Sequence, residues 1–150
     1  MDNATRGLVS MLMLMSNGEG ALCKAFYRKF GKDALPVIKE VMTQGGVEWG
    51  KIMQQTIPVK SMTAITQQTS AMGSMMGIGI ETVEASDNMI HNKLSKCPLG
   101  LEGTSRELCE AVMAIDHQRI STFFGQPIDM QILQTVAAGD KQCEFIFSKK

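Results

Sequence analysis

The chain is short of aromatic residues, net charge, proline and long apolar runs, and each shortage closes off a class of protein. Six phenylalanines, one tyrosine and one tryptophan in 150 residues supply no basic stripe interleaved with aromatics, so no nucleic-acid partner is expected. Lysine plus arginine and aspartate plus glutamate balance at 15 each, and neither sign clusters along the sequence. Lys149 and Lys150 read as a solvated tail. The apolar run from Leu8 to Met15 is far too short to span a bilayer. Asp2 and Arg6 precede it and no small-residue cleavage site follows, which argues against a secretory signal. A soluble, cytoplasmic protein with no membrane partner is expected. Four cysteines would make two disulfides in a secreted chain. With 44% hydrophobic residues this one can build a core without staples, and its thiols are expected to stay reduced.

What is present organises into one α+β domain over 1–150, helical over 1–77 and hairpin–helix–hairpin over 78–150. Leu8, Met11, Leu12 and Met15 recur at helical spacing, and Ser16-Asn17-Gly18 predicts a break after them. Leu22, Cys23, Phe26, Tyr27 and Phe30 make a second stripe, closed by Gly31. Asp33 is placed to cap a third helix carrying Val37, Ile38 and Val41 as far as Gly45-Gly46, with resumption through Trp49, Ile52 and Met53. Pro58 restarts a helix whose apolar positions are Met62, Ile65, Met72, Met75 and Met76.

Residues 78–86 and 89–97 predict two strands joined at Asp87-Asn88. Thr104 with Glu107 predicts a capping box opening one continuous helix that ends at Gly125 and Pro127. Residues 129–137 and 142–148 predict a second hairpin around Gly139-Asp140. The element order implies N-terminal helices packed on a four-stranded antiparallel sheet made of two hairpins.

Chemistry concentrates between Cys97 and Phe147. Asp116 lies seven residues after Cys109, two turns along, so the two share a helix face. Cys143, Phe145 and Phe147 point one way along the last strand, and Glu144 and Ile146 the other. Cys97, Cys109, Asp116 and Cys143 are therefore candidates to meet at one end of the domain. Three thiolates and a carboxylate would suit tetrahedral zinc, although no pair has zinc-finger spacing, and the same thiols would equally serve as core. In a catalytic reading, Cys109 or Cys143 is the nucleophile and Asp116 a base or orienting group. Replacing Asp116 by asparagine would then abolish turnover without disturbing the fold. His117 cannot face the cluster together with Asp116, and His91 sits about 20 Å from Cys97 along its strand.

The stretch Lys96-Cys97-Pro98, then Leu108-Cys109 and Asp116, then Gly139-Asp140-Lys141-Gln142-Cys143-Glu144-Phe145 resembles the L-2-amino-thiazoline-4-carboxylic acid hydrolase-like family. Ala25-Phe26-Tyr27-Arg28-Lys29-Phe30-Gly31-Lys32-Asp33-Ala34, followed by Gly45-Gly46 and Gly50, looks like that family's helical part. The resemblance implies a small-molecule hydrolase that opens a cyclic amidine-like amino acid with water, giving a carbamoyl-cysteine product. The same ending is similar to 4-vinyl reductase domains, which implies a hydrocarbon-binding or sensor module, with zinc on cysteines and an acid in some sensors.

Thirteen methionines suggest an adaptable core or pocket wall; Met11, Met13 and Met15 alternate and would not converge on copper. Met72, Met76 and Phe145 are the candidate ligand-binding residues, lining an apolar cavity beneath the sheet. The resembled fold commonly associates through its N-terminal helices, and the apolar Leu8–Met15 segment needs cover, so a homodimer is expected.

Overall fold

A computed structural model describes residues 2–150. Three helices come first: α1 (Asn3–Phe30), α2 (Ala34–Thr56) and α3 (Met62–Met75). They lead into β1 (Ile80–Ala85) and β2 (Met89–Leu94), then α4 (Arg106–Val112), α5 (Ala114–Phe124), β3 (Ile128–Gln134) and β4 (Cys143–Lys149). The sheet is antiparallel throughout, in the order β1-β2-β4-β3. The expected α+β architecture, helices followed by an antiparallel sheet of two hairpins, is what the chain adopts.

Two predicted breaks in the helical half do not occur. α1 runs through Ser16-Asn17-Gly18, begun by the Asp2 carboxylate accepting from the Thr5 N–H (2.7 Å) and ended at Gly31 (φ 60°). α2 runs through Gly45-Gly46. Its glycines serve packing: a Cβ at Gly46 would stand 2.6 Å from the Ile115 carbonyl oxygen, and one at Gly50 2.5 Å from Thr122 Cβ. α2 and α5 thus touch backbone to backbone, and that burial outweighs the roughly 1 kcal/mol that a mid-helix glycine costs against alanine. Asp33 makes no side-chain cap, since a 3-10 turn (Gly31–Asp33) links α1 to α2. α3 starts at Met62, capped by Ser61, rather than at Pro58.

The segment after Thr104 is not one helix. Ser105 caps it by accepting from the Leu108 N–H, and it breaks at Met113 into α4 and α5. That break removes the premise that Cys109 and Asp116 share a face.

The core has two parts. Cys23, Ala34, Ile38, Met42, Leu101, Leu108 and Val112 fill the space among α1, α2 and α4. Met53, Met62, Ile65, Ile90, Ile120, Phe123, Phe145 and Phe147 fill that between the sheet and α2, α3 and α5. Along β4, Cys143, Phe145 and Phe147 are buried while Glu144 and Ile146 lie on the other face, the alternation expected of the sequence. No helix among the described residues is long and apolar enough to cross a membrane. Leu8, Met11, Leu12, Leu14 and Met15 are exposed on α1.

Candidate functional site

Cys109 and Cys143 meet at Thr135, just past the end of β3, with Cys97 close enough to act on both thiols. The Thr135 side chain is buried, and its hydroxyl donates to Cys109 Sγ (3.2 Å). Its main chain is fixed by Asp140, whose carboxylate accepts from the Thr135 N–H (2.8 Å) while its own N–H donates to the Thr135 carbonyl (3.2 Å). Gly139, at φ 96°, adopts the left-handed conformation that lets the chain turn there. The Gly139-Asp140 pair is thus a structural clasp that delivers Cys143, three residues on, to the core face of β4.

Burial dominates the thiols' acidity. It pushes Cys109 up to about 11; the Thr135 hydrogen bond pulls the other way, and the nearby Cys143 and Cys97 thiols push upward. Cys143 is likewise raised by burial, against a hydrogen bond from the Val136 backbone. Both are therefore protonated at neutral pH, a poor state for a nucleophile. Cys97 is only partly buried. Its N–H donates to Glu102 Oε1 (3.0 Å), and its carbonyl accepts from the Gly100 N–H (3.2 Å), closing the turn after β2. Gly20 of α1 lies under this turn, where a Cβ would overlap the Leu99 carbonyl.

Asp116 is elsewhere. It accepts from Arg119 Nε (2.6 Å), and Arg119 is itself buried, stacked 4.5 Å over the Trp49 ring. Asp116 also raises the pKa of Glu19, after burial. The acid thus belongs to an α1–α2–α5 packing cluster. Among the described residues no three of His, Cys, Asp and Glu form a group able to hold a metal. The expected set of Cys97, Cys109, Asp116 and Cys143 is therefore not assembled around one point, since the acid is committed to Arg119. His91 pairs with Glu144 (2.7 Å) on the face of the sheet away from the core, and His117 bonds the Ile128 carbonyl.

Beside Cys97 lies a cavity of about 230 Å³ lined by Met13, Asn17, Met76, Ile78, Lys96, Cys97 and Pro98. A second hollow, about 280 Å³, opens at the same end of the sheet among Gly79, Ile80, Glu81, Lys93, Leu94, Ser95 and Gln142. The first is the better candidate for chemistry, because it alone contains a thiol. Of the three expected ligand-binding residues, Met76 lines this cavity. Met72 is exposed on α3 and Phe145 is packed in the core. Sequence reasoning missed Thr135 and Glu102, whose partners lie across turns; the Gly139-Asp140 signature was the available pointer to the first.

The chain's fold is similar to the crystal structure of the phenol-responsive sensory domain of the transcription activator PoxR with phenol. The likeness has a TM-score of 0.62 at 14% identity, over 89% of this chain and 73% of that one. No curated protein matches the sequence. The sequence profile of L-2-amino-thiazoline-4-carboxylic acid hydrolase matches residues 11–147, which takes in the whole fold but the first turns of α1 and the last residues of β4. The chain belongs to the L-2-amino-thiazoline-4-carboxylic acid hydrolase family.

Proposed function

We propose that this chain binds a compact cyclic organic molecule at the sheet end where α1, α3 and the Cys97 turn meet. The observation that carries the reading is the cavity of about 230 Å³, walled by Met13, Met76 and Ile78 with Asn17 and Lys96 as its polar groups. Such a lining offers apolar walls for a ring and polar groups to orient it, the two elements a small-molecule site combines. The fold shared with a phenol-responsive sensory domain supports a ring-shaped ligand. Spectra of protein labelled at the methionine methyls test this during titration with phenol. Met13 and Met76 signals should move while that of buried Met42 stays. No movement at millimolar ligand would defeat the reading.

Family membership favours a second reading, hydrolysis of 2-amino-thiazoline-4-carboxylate. In such a reaction water oxygen bonds the amidine carbon, the ring carbon–sulfur bond breaks and sulfur leaves as a thiol. Lys96 would pair with the carboxylate, and Cys97 would be the thiol that lies against the ring, since Cys109 and Cys143 are buried in the core. Mass spectrometry for a carbamoyl-cysteine product decides this. Binding without product would leave a binding domain and exclude the hydrolase.

We also propose a homodimer joined along α1. Leu8, Met11, Leu12 and Met15 are all exposed and share one helix face.

A further inference from the structure

Met11, Met13 and Met15 do not converge along α1, yet the fold brings Met13 to the same cavity as two sulfur-bearing residues of other elements. These are Met76, which closes α3, and Cys97, in the turn after β2. Two contacts set that meeting. The Ser95 N–H donates to the Gly79 carbonyl (3.0 Å), one step beyond the Ile80–Leu94 pair that ends the β1–β2 ladder. Residues 76–78 are thereby carried alongside 96–98, and Met76, Ile78, Lys96, Cys97 and Pro98 all line the cavity. Across them lies α1, whose Gly20 packs so tightly on the Leu99 carbonyl that a Cβ would overlap it. Asn17 and Met13 stand three and seven residues back along the same helix face, which brings both to the cavity wall.

The lining has neither the carboxylates nor the imidazoles that calcium, magnesium and catalytic zinc take as ligands. It offers two thioethers and a thiol, soft donors that select copper(I) among the common biological metals. A methionine side chain turns about three bonds, so the two thioethers can close on an ion that the thiol has taken. We propose that Met13, Met76 and Cys97 form a three-sulfur site for copper(I). Binding forms a copper–sulfur bond at Cys97 and releases the thiol proton to solvent, with no change of oxidation state. The copper–thiolate unit is neutral, which suits a cavity with apolar walls and Lys96 as its one cation. The site does not depend on the ring-binding reading, although ring and metal would exclude each other from this space.

The test titrates the reduced chain with copper(I) under nitrogen, against the chromogenic chelator bicinchoninate. About one equivalent per chain should be withheld from the chelator. The methyl signals of Met13 and Met76 should shift while those of Met11 and Met15 stay. Cys97→Ser, and separately Met13→Leu with Met76→Leu, should each weaken the affinity by about tenfold or more. Cys109→Ala should leave it unchanged. The methyl shifts are read on the wild type and need no variant to fold. A chain that withholds no copper overturns the site. So does loss of the metal in Cys109→Ala with the methionine pair indifferent, and so does zinc bound as tightly. Copper held by a chain that leaves phenol free removes the ring reading and keeps this site; phenol bound by a chain that yields copper to the chelator does the reverse.

Discussion

The Thr135 hydroxyl donates to the sulfur of Cys109 across 3.2 Å, and the same oxygen accepts from the Ala137 N–H at the same distance. One side chain therefore joins α4 to the turn that delivers Cys143. Thr135→Val should cost about 1–3 kcal/mol, because it strands a buried N–H and removes the donor to the thiol. Thr135→Ser should recover most of that loss. Urea denaturation followed by Trp49 fluorescence measures both. A valine variant as stable as the wild type would refute this role of the Thr135 hydroxyl.

Stability should also depend on alkaline pH. Cys109 has its pKa raised from 9.0 to about 11 in the fold, chiefly by burial. Below about 9 the thiol is protonated in both folded and unfolded chains, and its acidity contributes nothing to pH dependence. Between about 9 and about 11 the unfolded chain loses the proton while the fold retains it, so stability falls as pH rises. The drop is on the order of 2–3 kcal/mol. Cys109→Ala should flatten that part of the profile, at the expense of a small cavity. Denaturation midpoints taken from pH 7 to 11 in the two proteins make the comparison, and parallel profiles would refute it.

The thiols should divide by reactivity. Cys97 is partly exposed at the mouth of a cavity, whereas Cys23, Cys109 and Cys143 are buried and all three have raised pKa values. Iodoacetamide at pH 7.5 should modify Cys97 first, and the other three at rates set by unfolding. Peptide mapping of a time course reads the order directly. Early labelling of Cys109 would contradict its place in the core.

Asp116→Asn should act on stability before anything else. The carboxylate holds buried Arg119, and an amide cannot supply the opposite charge. About 1–3 kcal/mol should be lost, as for a hydrogen bond to a charged group, with part of the guanidinium's support kept by the Trp49 stack. The expectation that this variant leaves the fold intact depended on Asp116 facing the thiols, and it does not survive the break at Met113. A variant with wild-type stability but altered ligand binding would put the acid back in the functional site.

These residues also show where the sequence was informative. Alternation along Cys143–Phe147 and the turn at Gly139-Asp140 are local patterns, set by strand geometry and backbone conformation, and both were legible. The break at Met113 had no local signal: Ala111, Val112, Met113 and Ala114 offer neither glycine nor proline, so tertiary packing decides it. Gly45-Gly46 misled in the opposite direction, since those residues mark the approach of α5 and not an end of helix. Thr135 escaped notice because what distinguishes it is a partner on another element. A strand pattern cannot reveal that.

The exposed face of α1 supplies the last prediction. Leu8, Met11, Leu12 and Met15 are 57%, 62%, 41% and 68% exposed, and their spacing of three and four residues aligns them on one side. Four large apolar side chains in a row form a patch of the kind that marks an interface. Sedimentation at tens of micromolar should give a dimer. Leu12→Glu with Met15→Glu should give a folded monomer with an unchanged helical spectrum, because neither side chain touches the core of its own chain. The loss should be complete, since two carboxylates at the centre of an apolar seam would be desolvated without partners. A wild-type chain that sediments as a monomer at that concentration would refute the dimer.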